Sequence, residues 1–272
     1  MASAPFGKLD IHYREVGAGP PLLLVHGLMT TSYSWRYVMH DLARDFRVIA
    51  PDLPGSGRST KPPSGYTGAA LASFLAEFCD ALDIRGCLAV GNSMGGYLCM
   101  RAALADPTLF SRLVNIHSPG PVDTRYRTLH AALSIPGVRP LLSWWIRRAP
   151  QRWAHKNVHY FDESLKSIEE AAEYGDPLAT LEGTRAFIAY LFETFDPRDL
   201  ATFIADLTAH PFPTPLLLLY SRHDPLVPPS VGDVLHRLIP ASTLHWLDDT
   251  SHFAHVDTPT PVLAAIRPFL TG

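Results

Sequence analysis

The feature that most limits how this chain can fold is a series of unbroken apolar runs separated by helix-like segments. "PLLLVHG", "FRVIAPD", "GCLAVGN", "RLVNIHS" and "TPLLLLYS" hold consecutive Val, Leu, Ile or Ala and stop at a turn-forming residue. A strand with one wet face would alternate. A continuous run suits a strand covered on both faces, and so a parallel sheet. "LDIHYREV" does alternate, which predicts a half-exposed strand, and "STLHWLDD" completes the series. Between them, residues 32–43 place Trp35, Val38, Met39 and Leu42 on one helical face. "GAALASFLAEFCDAL" does the same with Leu71, Phe74, Leu75, Phe78 and Leu82. "VGDVLHRLI" and "PVLAAIRPFL" are shorter helical patterns near the end. Strand–helix–strand alternation with right-handed crossovers predicts an α/β fold with a doubly wound, mostly parallel sheet.

The alternation stops between about Pro119 and Leu207, where only helical patterns such as "LLSWWIRRA", "ESLKSIEEAAEYG" and "TRAFIAYLFETF" remain. Residues 1–118 and 207–272 are therefore expected to form the core domain, and 119–206 an inserted helical lid. Ligands in open α/β sheets bind outside the carboxyl edge of the strands, and a lid there would shape and dry the site.

Composition narrows the class of protein. A chain of 272 residues, 47% hydrophobic and 18% charged, suits a globular protein with a large core. Its net charge of −3 gives no sign of a nucleic acid or an anionic membrane as partner. No apolar run approaches the roughly 20 residues of a membrane span. "MASAPFGKLDIHY" lacks the basic and apolar regions of a signal peptide. Cys79, Cys87 and Cys99 form no metal or redox spacing and read as buried, reduced thiols. A cytoplasmic location is the resulting expectation. Neither a metal nor an organic cofactor is implied, and the oligomeric state is not readable.

One stretch points to chemistry. In "LAVGNSMGGYLCM" a buried strand meets a helix running from Met94 to about Ala105, and Ser93 sits at the sharp turn between them. Gly91-Asn92-Ser93-Met94-Gly95 matches G-x-S-x-G, in which a side chain at either glycine would strike the neighbouring strand or helix. A strained serine costs on the order of 1–3 kcal/mol, which an ordinary turn need not tolerate. As a nucleophile it requires a base and an orienting acid, in the chain order Ser, Asp or Glu, His. Asp224 follows the strand in "LLLLYSRHDPLVPP", and His252 follows the next strand in "LHWLDDTSHFAHVDTP". Asp123 is a second candidate for the acid and His255 for the base. His223 reads as structural or solvent-facing, and Asp248 and Asp249 as turn carboxylates. Asp52 reads as a loop brace. For the oxyanion, the Met94 N–H opens a helix and the Leu28 N–H follows Gly27; His26 would prop that loop.

Together "HGLM", "PDLPGSGRS", "GNSMGG", "SRHDPLVP" and "SHFAHVDTP" resemble the α/β-hydrolase superfamily, in the order those motifs take there. The resemblance implies a Ser93–His252–Asp224 triad and an oxyanion hole of Leu28 and Met94. Haloalkane dehalogenases and epoxide hydrolases are similar around "TTSYSWR" and "DLPGSGRS" but carry Asp at the position of Ser93. The "GNSMGG" spelling resembles the meta-cleavage-product C–C hydrolases, which usually have a glycine-rich "HGGGPG" loop and a tryptophan after the base. This chain has "HGLMTT" and Phe253 there. A cofactor-free perhydrolase would use the same triad, and a non-catalytic small-molecule receptor is the reading from a different class. The expectation is an esterase acting on small to medium hydrophobic substrates, with Trp144, Trp145 and Phe253 as pocket candidates. Trp153, Phe187, Tyr190 and Phe192 line the pocket or hold the lid together.

Overall fold

The computed structural model describes residues 9–272. Residues 1–8, part of the segment assigned to the core and read for a leader, lie outside the described residues. Seven strands form one sheet: β1 (Tyr13–Val16), β2 (Pro21–Val25), β3 (Arg47–Pro51), β4 (Cys87–Asn92), β5 (Phe110–Ile116), β6 (Leu216–Ser221) and β7 (Thr243–Leu247). Their order is β1-β3-β2-β4-β5-β6-β7; β1 runs antiparallel to β3 and every other neighbouring pair is parallel. The helices outside the insertion are α1 (Arg36–Leu42), α2 (Gly68–Ala81) and α3 (Met94–Ala105), then α10 (Ser230–Leu238), α11 (Ala254–Asp257) and α12 (Pro259–Thr271). This is the doubly wound α/β fold that the sequence predicts.

The apolar runs explain the two layers. Along β2 every residue from Leu22 to Val25 is fully buried. Because strand side chains alternate, Leu23 and Val25 join α2, α3 and α10 in one core. Leu22 and Leu24 join Val38 and Leu42 of α1 and Val262, Ile266 and Leu270 of α12 in the other. The two edge strands, β1 and β7, show alternating burial, and for β1 the sequence predicts it. Cys79, Cys87 and Cys99 are buried free thiols. Among the described residues no helix is long and apolar enough to cross a membrane.

Between β5 and β6 the regular elements are all helices: α4 (Thr124–Ser134), α5 (Val138–Arg148), α6 (Pro150–Asn157), α7 (Ile168–Gly175), α8 (Leu181–Ala189) and α9 (Pro197–Ala209), with loops and short turns of other helical type between them. Helix α9 runs through residue 206 and packs on α3. Phe203 meets the Tyr97 ring edge-on at 5.0 Å, and the Tyr97 hydroxyl donates to Asp199 at 3.0 Å. One buried ion pair also ties the insertion to the core. The Arg36 guanidinium donates to Glu170 of α7 at 2.5 Å, and the Tyr160 hydroxyl donates to the same oxygen at 2.7 Å.

Candidate active site

Ser93 links β4 to α3 with φ 53 and ψ −119, a backbone that side chains other than glycine rarely adopt. Its two flanking glycines are sterically required. A Cβ on Gly95 would lie 2.2 Å from the Val25 carbonyl oxygen, and one on Gly91 would lie 2.5 Å from the Gly96 nitrogen. The Ser93 N–H is anchored on the Ile116 carbonyl at 2.7 Å, which ties the turn to β5. The hydroxyl makes no hydrogen bond among the described residues, and Ser93 and His252 line the same cleft. Bonds between a nucleophile and its base are often long in an unliganded site and tighten with substrate.

Loops after β6 and β7 bring Asp224 and His252 together. His252 Nδ1 donates to Asp224 Oδ2 at 2.7 Å. The other carboxylate oxygen accepts the Leu226 and Val227 N–H groups at 2.7 and 2.9 Å. Burial pushes the Asp224 carboxyl up, but His252, His117 and the Val227 N–H outweigh it and hold the group below the usual carboxylate range. An ionised Asp224 keeps the proton of His252 on Nδ1, which leaves Nε2 free to accept a proton from the cleft.

The N–H groups of Met94 and Leu28 are both unbonded among the described residues. Met94 opens α3, so its N–H has no helical acceptor. Gly27 lets the Leu28 loop approach: a Cβ there would stand 3.2 Å from the Ser93 Cβ. His26 braces this loop, since its Nε2 accepts the Leu53 N–H at 3.0 Å while Nδ1 bonds the Gly27 carbonyl at 2.7 Å.

The competing residues are occupied elsewhere. Asp123 caps α4 and pairs with Arg125. Asp52 accepts the Ser32 and Arg58 N–H groups at 2.8 and 2.9 Å, and so braces its loop. His255 is fully buried against Trp35, ring centroids 4.2 Å apart. Asp248 lies near Arg222, and Asp249 takes a left-handed turn conformation.

Sequence alone assigns no role to His117, which follows β5 with φ 53. Its Nε2 accepts the Ser221 N–H at 2.5 Å, and its Nδ1 bonds the His252 carbonyl at 3.1 Å. Asn92 Nδ2 donates to that same carbonyl at 3.0 Å. Two side chains from β4 and β5 thus hold the backbone of His252. The only signal in the sequence was the position of each at a strand's carboxyl end. Ring nitrogens of His117 and His252 and a carboxylate oxygen of Asp224 lie within 4.8 Å, a spacing compatible with a metal ion. The donors do not suit one: both His117 nitrogens and one His252 nitrogen are already engaged.

Burial pushes His117 down to about 4 and also lowers His26 and His255; Asp52 partly opposes the shift at His26, and Arg36 adds to it at His255. Burial thus favours the neutral form of all three rings in the folded state, whereas an unfolded chain restores them to about 6.5. Below that pH the unfolded chain binds protons that the folded one refuses. Stability is therefore complete above about pH 6.5 and falls below it; His117 alone contributes up to about 1.4 kcal/mol per pH unit between about 6.5 and about 4. The melting temperature is expected to drop steadily between about pH 6.5 and pH 5. His255→Phe, which keeps a ring on Trp35, should make that drop shallower. A pH dependence unchanged by this substitution would refute the assignment.

The cleft has a volume of ≈ 340 Å³ and is walled by Leu28, Met29, Tyr126, Trp153, Phe187 and Phe253, among others. Phe253 lies in that wall. Trp144 and Trp145 do not: they are 49% and 58% exposed on the outer face of α5 and line no part of the cleft. The buried face of α5 is set by Ser143 and Ile146, and the two tryptophans fall on the opposite side. A larger cavity of ≈ 710 Å³ opens between α2 and α3, with Phe203 of α9 in its wall; it contains no residue of this constellation.

A strained serine turn, a His–Asp pair and unbonded backbone N–H groups thus lie at the carboxyl edge of a doubly wound sheet. Residues 20–259 match the family profile for the alpha/beta hydrolase fold, and the chain belongs to that family. It is 29% identical to the uncharacterized hydrolase YugF of Bacillus subtilis, across 95% of this chain and 92% of that protein. It is also 29% identical to 2-hydroxy-6-oxo-2,4-heptadienoate hydrolase of Pseudomonas putida, across 98% and 94%. A thermophilic esterase from Thermogutta terrifontis superposes with a TM-score of 0.79 at 26% identity, covering 98% of this chain and 95% of the other.

Proposed function

We propose that the protein is a serine hydrolase of uncharged carboxylic esters. Ser93 attacks the ester carbonyl while His252 Nε2 takes its proton. Asp224 holds the imidazole tautomer and steadies the imidazolium. The Leu28 and Met94 N–H groups receive the oxyanion. His252 then protonates the departing alcohol, and a water it activates releases the acid from the acyl-enzyme. The observation that carries this reading is the His252–Asp224 bond at the edge of a cleft that Ser93 also faces.

The cleft wall supports the choice of substrate. Among the described residues it contains no Lys, Arg, Asp or Glu. The heptadienoate that names the Pseudomonas relative carries a carboxylate. Burying that charge without a partner costs several kcal/mol. A neutral ester meets no such penalty, and ≈ 340 Å³ is at the small end of ligand pockets. The test is a chain-length series of aryl esters run beside a dienoate of the C–C hydrolase type. Short to medium esters should be turned over with kcat/KM at least about 100-fold above the dienoate, the value of a 3 kcal/mol penalty. A preference for the dienoate would overturn the reading. Failure of a fluorophosphonate to label Ser93 would favour a non-catalytic receptor.

A further inference from the structure

We infer that the outward face of α5 and α6 is a docking surface for an anionic lipid bilayer. Residues 124–161 contain seven Arg or Lys and no Asp or Glu, within a chain whose net charge is −3. Of the seven, only Arg125 pairs with a carboxylate among the described residues. The field of the other six is uncompensated.

Apolar groups stand among these cations. Leu141, Trp144, Trp145 and Arg148 follow one another at helical spacing on the outside of α5, and Leu141 is 64% exposed. Ile135, where the chain leaves α4, is 57% exposed. Arg148 lies over the Trp144 ring at 4.5 Å, which accounts for one of these side chains. Arg152 and Lys156 continue the cationic row on α6. The Trp145 ring meets Trp153 of α6 edge-on at 5.1 Å, and Trp153 lines the cleft. The patch therefore borders the cleft mouth.

Large exposed apolar groups in a cluster mark an interaction surface. Tryptophan beside arginine matches the headgroup layer of a bilayer, where the ring sits at the boundary and the guanidinium reaches the phosphates. A second copy of this chain suits the patch poorly, since a two-fold interface would set cations against cations. A nucleic acid would use the charge but not Leu141 and Ile135. The low overall charge conceals this asymmetry, because acidic residues elsewhere in the chain cancel it.

The experiment is flotation of the full chain with phosphatidylcholine vesicles, with and without about one-third phosphatidylglycerol. Binding is expected only to the anionic vesicles, with loss on raising salt and a blue shift of tryptophan fluorescence. The triple variant Arg148→Glu/Arg152→Glu/Lys156→Glu should melt like the wild type yet partition at least about 100-fold more weakly, since each surface cation contributes roughly fivefold. Trp144→Ser should weaken binding without abolishing its salt dependence. Absence of binding to anionic vesicles at low salt would overturn the inference, as would undiminished binding by the triple variant. Retention on polyglutamate or on an oligonucleotide without vesicle binding would overturn it too, in favour of an acidic protein or a nucleic acid.

Discussion

Ser93→Ala is expected to lower kcat for a neutral aryl ester by about 10⁴-fold or more, because a nucleophile removed from a triad takes the whole covalent route with it. The fold should survive, since the hydroxyl makes no hydrogen bond among the described residues and the chain still turns between the same two glycines. Ser93→Gly sharpens the test. Glycine adopts φ 53 without the cost of about 1–3 kcal/mol that a side chain bears there. That variant should lose activity equally but melt higher than wild type. Strain at position 93 would then be a stability cost retained for function. Wild-type turnover by either variant would remove Ser93 from the mechanism.

Asp224→Asn should cost about 10⁴-fold in kcat, by way of the imidazole tautomer rather than the loss of a contact. Asp224 Oδ1 accepts two backbone N–H groups, from Leu226 and Val227. The single amide oxygen of Asn must stay there, which turns its NH₂ towards His252 Nδ1. The ring then has to accept at Nδ1 and carry its proton on Nε2, the atom that should receive the proton of Ser93. Steady-state kinetics with a melting curve as a folding control measures this. A loss of less than tenfold would mean that another carboxylate orients the base. Asp123, committed to the cap of α4, would have to be released first.

The elements of the fold were legible because their signals are local. Continuous apolar runs identified β2 to β6, and alternation singled out β1. Gly91, Ser93 and Gly95 marked the strand-to-helix turn through contacts within a few residues, and the places of Asp224 and His252 after β6 and β7 suggested the pair that the structure joins by a hydrogen bond. The roles of His117 and Asn92 were not legible. Each acts on the His252 carbonyl, more than a hundred residues away in the chain, and nothing near either residue records that contact. The sequence likewise contains two adjacent tryptophans in α5 without saying which way they face.

What the sequence by itself determined is the order of strands and helices and the turn at Ser93, because steric limits and hydrophobic periodicity act between neighbours. The tertiary structure alone decided that Phe253 faces the cleft while Trp144 and Trp145 face outward, and that two distant side chains hold the backbone of His252. A side chain's direction depends on which surface its helix buries, and that choice is made by packing against residues remote in the chain.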